Sequence, residues 1–152
     1  MINYVSPDTV KNEENYTKLD IIKMIVFGER VARPRDTERP TDFNLEYSEH
    51  FIQVDQEVKL SAWYIPRLNS EKIIIMFHGY SLSKSSLLLE AQVFWKKGYS
   101  VFIPDFRGSG ESTLSFSTMG YLEADDVNAV CRYVNQHFRY KEKILFGHSM
   151  GG

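Results

Sequence analysis

The 152-residue chain is short of several things, and each shortage excludes a class of protein. It has one cysteine, Cys131, so no internal disulfide can brace the fold; a packed core must do so, in keeping with a reducing compartment. It lacks a long apolar run. The nearest approach, Leu19–Phe27, is interrupted by Asp20 and Lys23 and falls short of the ~20 residues a membrane span needs. Asp8, Glu13 and Glu14 stand where a secretory leader would carry positive charge, so a cytoplasmic location is expected. Residues 19–27 read as a short helix against the domain, with peripheral membrane anchoring as the less favoured alternative. Charge of one sign is also missing: 18 basic against 20 acidic residues leave a net −2, which gives no case for nucleic acid. No spaced Cys/His cluster suggests a metal. Finally, no histidine follows Ser149, and the last residue is Gly152.

What is present favours an ordered domain. Hydrophobic residues make up 43% and aromatic residues 14%, ample for a core. Residues 1–46 read as an N-terminal extension. Its first 18 residues are polar and aperiodic, and Asn15-Tyr16-Thr17 reads as a helix start, with Thr17 capping toward Asp20. A helix is expected from Lys18 to about Val31, followed by the Pro- and charge-rich connector Arg33–Pro40, whose charges suggest a solvated surface.

From Tyr47 the pattern changes to strands. Partial two-residue alternation predicts a hairpin, Tyr47–Val54 and Val58–Ile65. Lys72–Phe77 is a continuous apolar run, the mark of a strand buried on both faces of a parallel sheet. Ser83 or Ser85 could cap a helix through Leu87, Ala91, Phe94 and Trp95, closed by Lys96-Lys97-Gly98. A strand Tyr99–Pro104, a glycine-rich loop Asp105–Ser112, a helix over 120–138 and a strand Lys143–Phe146 follow. Strand, helix, strand, helix, strand after a hairpin is an α/β pattern.

The last strand runs into Gly147-His148-Ser149-Met150-Gly151-Gly152, which contains Gly-x-Ser-x-Gly. This is the mark of a nucleophile elbow, a strand-to-helix turn that lifts a serine above a sheet edge. Gly147 and Gly151 meet its need for small neighbours, Ser149 is the candidate nucleophile, and the Met150 N–H is a candidate oxyanion donor. The loop Asp105-Phe106-Arg107-Gly108-Ser109-Gly110-Glu111-Ser112 is not a nucleotide site: Thr113 replaces the third glycine of Gly-x-Gly-x-x-Gly, and no lysine follows Gly110. It reads as structural, with Asp105 and Arg107 paired or capping backbone groups. His50 reads as a hairpin side chain, His137 as a cation at a helix end, and Asp125-Asp126 as carboxylates at a helix start.

His78-Gly79, Asp105-x-Arg107-Gly108-x-Gly110-x-Ser112 and Gly147-x-Ser149-x-Gly151, in this order and spacing, resemble the α/β-hydrolase superfamily. The nearest flavour is the serine aminopeptidase-like and prolyl-oligopeptidase-like serine hydrolases, an impression strengthened by Trp63-Tyr64-Ile65-Pro66 in the hairpin. The resemblance covers the chain from Tyr47 onward. It implies the N-terminal half of an α/β-hydrolase fold: a leading β-hairpin, then a mostly parallel sheet with flanking helices. It also implies that Tyr80 supplies the second oxyanion N–H, that His78 shapes the loop, and that no cofactor is used.

The triad acid and histidine of such enzymes come later in the chain than the serine. Residues 47–152 therefore read as a truncated domain ending at the elbow: a fragment, an interrupted gene or a cut product. The parent is expected to hydrolyse a small-molecule ester, thioester or amide through Ser149, and the 152 residues alone to be inactive and poorly soluble. A non-catalytic hydrolase-like relic or binding module is the alternative. Substrate choice is not legible, because fold does not fix function.

Overall fold

A computed structural model describes residues 2–5 and 30–152. Its centre is the predicted doubly buried run. Lys72–Phe77 is strand β5 in chain order, and everything from Ile73 to Phe77 is buried. Side chains alternate across a strand, so Ile73, Ile75 and Phe77 enter one core while Ile74 and Met76 enter the other. Such a strand needs cover on both faces, and two helices supply it.

In chain order the strands are β1 (Ile2–Val5), β2 (Arg30–Ala32), β3 (Ser48–Gln53), β4 (Lys59–Ile65), β5 (Lys72–Phe77), β6 (Ser100–Pro104), β7 (Phe116–Ser117) and β8 (Glu142–Gly147). Helix α1 (Leu88–Lys96) lies between β5 and β6, and α2 (Glu123–His137) between β7 and β8. The main sheet has the order β3-β4-β6-β5-β8. β3–β4 and β4–β6 are antiparallel; β5 runs parallel to both β6 and β8. The hairpin turn is closed by Asp55, whose carboxylate accepts the Glu57 and Val58 N–H groups at 2.8 and 2.9 Å.

Each helix covers one face. Leu88 and Ala91 of α1, with Leu87 before it, pack on Trp63, Ile65, Ile74, Met76, Val101 and Ile103. On the other face Ala129, Val130 and Val134 of α2 pack on Leu60, Ala62, Ile75, Phe77 and Phe102. Fully burying an apolar side chain of this size contributes about 1.5–3 kcal/mol, so these two layers fix where the strand ends lie.

Several expectations need correction. Arg30 and Val31 belong to a strand rather than to a helix tail, and Ile2–Val5 is a strand within a segment read as aperiodic. β2, β1 and β7 form a small second sheet that the sequence pattern did not suggest. Neither Ser83 nor Ser85 caps α1. A 3-10 turn, Lys84–Leu87, precedes that helix, and the Ser83 hydroxyl donates instead to the Arg35 carbonyl at 3.1 Å. The rest of the helix expected over 18–31, the Thr17 cap and residues 19–27 lie outside the described residues. Among the described residues no helix is long and apolar enough to cross a membrane.

Candidate active site

β8 ends at Gly147, and the chain then turns sharply. His148 is still extended, Ser149 has φ +55°, and Ser149–Gly151 forms a single 3-10 turn. A positive φ is uncommon for a residue with a Cβ and costs conformational energy, so a surrounding framework must impose it. Here the framework is close approach. A methyl group on Gly147 would fall on the Gly151 carbonyl, and one on Gly151 would fall on the carbonyls of Phe77 and His78. The His148 N–H donates to the Phe77 carbonyl at 3.0 Å, and the Gly152 N–H to the Ser149 carbonyl at 2.9 Å. The turn is thereby stitched to the end of β5, with the Ser149 side chain exposed. Met150 comes second in the turn, where a 3-10 helix leaves N–H groups without an internal partner.

The β5 end carries His78, Gly79 and Tyr80. His78 is fully buried. Its Nε2 accepts the Phe106 N–H at 3.1 Å, so Nδ1 carries the proton and donates to the Gly79 carbonyl at 2.8 Å. Burial holds its pKa below the ordinary value despite Asp105, and the ring stays neutral. With both nitrogens engaged, His78 ties the loop to the end of β6. Tyr80 is half-buried at the start of that loop, and Ser81 beside it has φ +56°.

The glycine-rich loop after β6 is held by charges. Asp105 and Arg107 do not pair with each other. Asp105, fully buried, accepts the Lys84 backbone N–H at 2.7 Å, the Lys84 ammonium at 2.5 Å and the Glu111 N–H at 3.2 Å. Arg107 points to α2, where Nη2 and Nε reach Asp126 at 2.6 and 3.1 Å. Asp126 is thus a buried partner of the loop rather than a carboxylate serving the helix dipole. Gly108 and Gly110 turn the loop with φ of +77° and +48°, and the Ser112 hydroxyl links the Asp105 carbonyl to the Ser61 N–H.

Three groups escaped sequence reasoning. Lys84 and Asp36 meet in the interior. Arg33 donates to the carbonyls of Leu114 at 2.6 Å, Gly110 at 3.2 Å, and Ser112. The connector charges Arg33 and Asp36 are therefore ties to the site loops, not a solvated surface. Glu123, also buried, collects hydrogen bonds from Ser117, Thr118 and Gly120. Burial alone would raise its pKa, but these donors outweigh that and hold it below the usual carboxylate value. A signal for the α2 carboxylates existed: Glu123 and Asp126 fall at helical spacing with Val130 and Val134 on the buried face.

A cleft of about 560 Å3 opens beside the turn, lined by Phe77, Phe106, Val127, Phe146 and Met150 among others. The site offers an exposed serine hydroxyl on a strained turn, backbone N–H groups at two neighbouring strand ends, and a largely apolar cleft. No group of His, Cys, Asp or Glu suited to a metal ion gathers among the described residues.

Residues 69–152 match the family described as serine aminopeptidase, S33. The uncharacterized membrane protein YNL320W of Saccharomyces cerevisiae is 30% identical over 116 residues, covering 74% of this chain and 40% of that protein. Protein bem46 of Schizosaccharomyces pombe is 31% identical over 119 residues, 74% of this chain and 39% of its own length. Among solved structures, the Pyrococcus furiosus esterase Pf2001 aligns with a TM-score of 0.70 and 30% identity, over 78% of this chain and 49% of that one. The chain spans less than half the length of these curated relatives. From the family match over more than half its residues and the alignment with the esterase over 78% of its length, the chain belongs to the serine aminopeptidase S33 family and has the N-terminal half of an α/β-hydrolase fold.

Proposed function

We propose that the whole protein carrying this chain is a serine hydrolase acting on small carboxylic esters, thioesters or amides through an acyl-enzyme on Ser149. The observation that carries this reading is Ser149 itself, at φ +55° between two glycines that admit no side chain, exposed at the end of a parallel strand. The similarity to a protein named as an esterase supports an ester as the substrate class.

In this mechanism the Ser149 hydroxyl attacks the substrate carbonyl while a histidine base takes its proton. The N–H groups of Tyr80 and Met150 donate to the oxyanion that forms. Collapse expels the alcohol, thiol or amine, and water then releases the acid from Ser149. The base comes from outside these 152 residues. His78 has both nitrogens engaged. His50 lies on β3, four strands from β8, a separation of about 19 Å at the usual strand spacing. His137 stacks on Tyr133, which hydrogen-bonds His50, and His148 has its ring against Gly79.

Fluorophosphonate labelling of the whole protein tests this reading. The wild type should be labelled and Ser149→Ala should not. The 152 residues alone, lacking the base, should hydrolyse p-nitrophenyl acetate about a millionfold more slowly than the whole protein. A whole protein that resists labelling would favour the non-catalytic, hydrolase-like alternative.

A further inference from the structure

Lysine is almost never fully buried unless paired, yet Lys84 has no exposed surface. Its ammonium lies 2.5 Å from Asp105 and 2.5 Å from Asp36, with Glu111 at 4.0 Å and the Trp63 ring centroid at 4.6 Å. Burial works against the ammonium, but the two carboxylates outweigh it and raise its pKa. A buried ion pair is weak evidence for stability, because apolar residues of similar volume often serve as well. The placement of this one suggests a different role.

The segment between β5 and the 3-10 turn is pinned at both ends to consecutive residues. At one end His78 accepts the Phe106 N–H; at the other Lys84 meets Asp105 through both its backbone N–H and its ammonium. Only Gly79–Ser83 lie between, with Ser81 in the left-handed region. Ionised, Asp105 accepts the N–H groups of Lys84 and Glu111 and the Lys84 ammonium with its two oxygens, whereas a proton would turn one of those oxygens into a donor. Burial raises its pKa and the neighbouring Asp36 adds to the rise, while the Lys84 ammonium opposes both and so favours the carboxylate. The connector closes the arrangement from outside: Asp36 holds the ammonium, the Arg35 carbonyl accepts from Ser83, and the Thr37 N–H donates to the Ser85 hydroxyl at 3.3 Å.

We infer that Lys84 is a positioning residue: by bridging Asp105 and Asp36 it fixes the loop Gly79–Ser83, and with it the Tyr80 N–H that meets the oxyanion. This rests on the hydrolase reading above. It differs from a role in folding because its effect falls on the transition state. A donor displaced by about 1 Å costs on the order of a hundredfold in rate, while ground-state substrate binding is little changed.

The test is steady-state hydrolysis of p-nitrophenyl acetate by the whole protein, comparing wild type, Lys84→Met and Asp36→Asn. Thermal melts establish that each variant is folded. Lys84→Met is expected to lower kcat about a hundredfold with KM within about twofold. Affinity for a phenylboronic acid, which forms a tetrahedral adduct with the serine, should fall in parallel while affinity for acetate holds. An unchanged kcat, or a loss confined to KM with boronate affinity intact, overturns the inference. If Lys84→Met does not fold, Asp36→Asn decides: a fall of about tenfold in kcat alone supports the positioning role, and an unchanged kcat overturns it. A wild type that turns over no ester overturns the hydrolase reading and this inference together. A wild type that works beside an equally active variant overturns the inference alone.

Discussion

At Gly151 a single added methyl group would meet the carbonyls of both Phe77 and His78, so the turn that presents Ser149 tolerates no side chain there. Gly151→Ala is expected to cost about 1–3 kcal/mol by overpacking and to abolish fluorophosphonate labelling. Gly98 is the matched control: its φ is +94°, but a Cβ there meets nothing within 4 Å. Gly98→Ala should cost about 1–2 kcal/mol of backbone strain and leave labelling intact; urea denaturation and labelling together separate the two. Gly147 was legible in the sequence because its constraint is local, set by Gly151 four residues on; Gly151 was read from the same motif, although the atoms that crowd it belong to Phe77 and His78. Lys84 was not legible. Its partners stand 21 and 48 residues away, and nothing in Leu82-Ser83-Lys84-Ser85 distinguishes a buried ammonium from a solvated one.

Between elements, the strongest tie on the α2 side is the Arg107–Asp126 pair, which joins the loop after β6 to the first turns of α2. Both side chains are almost wholly buried. Asp126→Ala would strand the Arg107 charge and is expected to cost about 3–5 kcal/mol, whereas Arg107→Met with Asp126→Leu should come within about 1–2 kcal/mol of wild type. Urea denaturation of the single and the double variant beside wild type measures both. β4, β5 and β6 and both helices were readable to within a few residues, since continuous apolar runs and 3.6-residue stripes survive into the fold. β1, β2 and β7 were not. They have two to four residues each, too few for a period to show, and they exist through pairing with one another. The loops were half legible: the composition of Asp105–Ser112 indicated a structural turn, while its partners in the connector and α2 required the tertiary arrangement.

Across the whole molecule, the main sheet is protected at its β3 end by the exposed Ser48, Glu49 and Gln53, and among the described residues no strand pairs beyond β8. Leu145 in that strand is 58% exposed. An open edge with apolar side chains is a template for pairing with another chain. The 152-residue polypeptide is expected to self-associate in a concentration-dependent way, and Leu145→Lys to shift it toward monomer; light scattering across a dilution series reads both. The connector has a consequence of another kind, in the order of assembly. One of the carbonyl partners of Arg33 lies 81 residues later in the chain, and closing so long a loop carries an entropic cost that its hydrogen bonds must offset. During synthesis Arg35 and Asp36 can meet Ser83 and Lys84 first, whereas Arg33 completes its bonds only when residue 114 has emerged. Contacts of such long range form late. The strap that ties the two site loops together thus docks in two stages, first on the loop after β5 and then on the loop after β6.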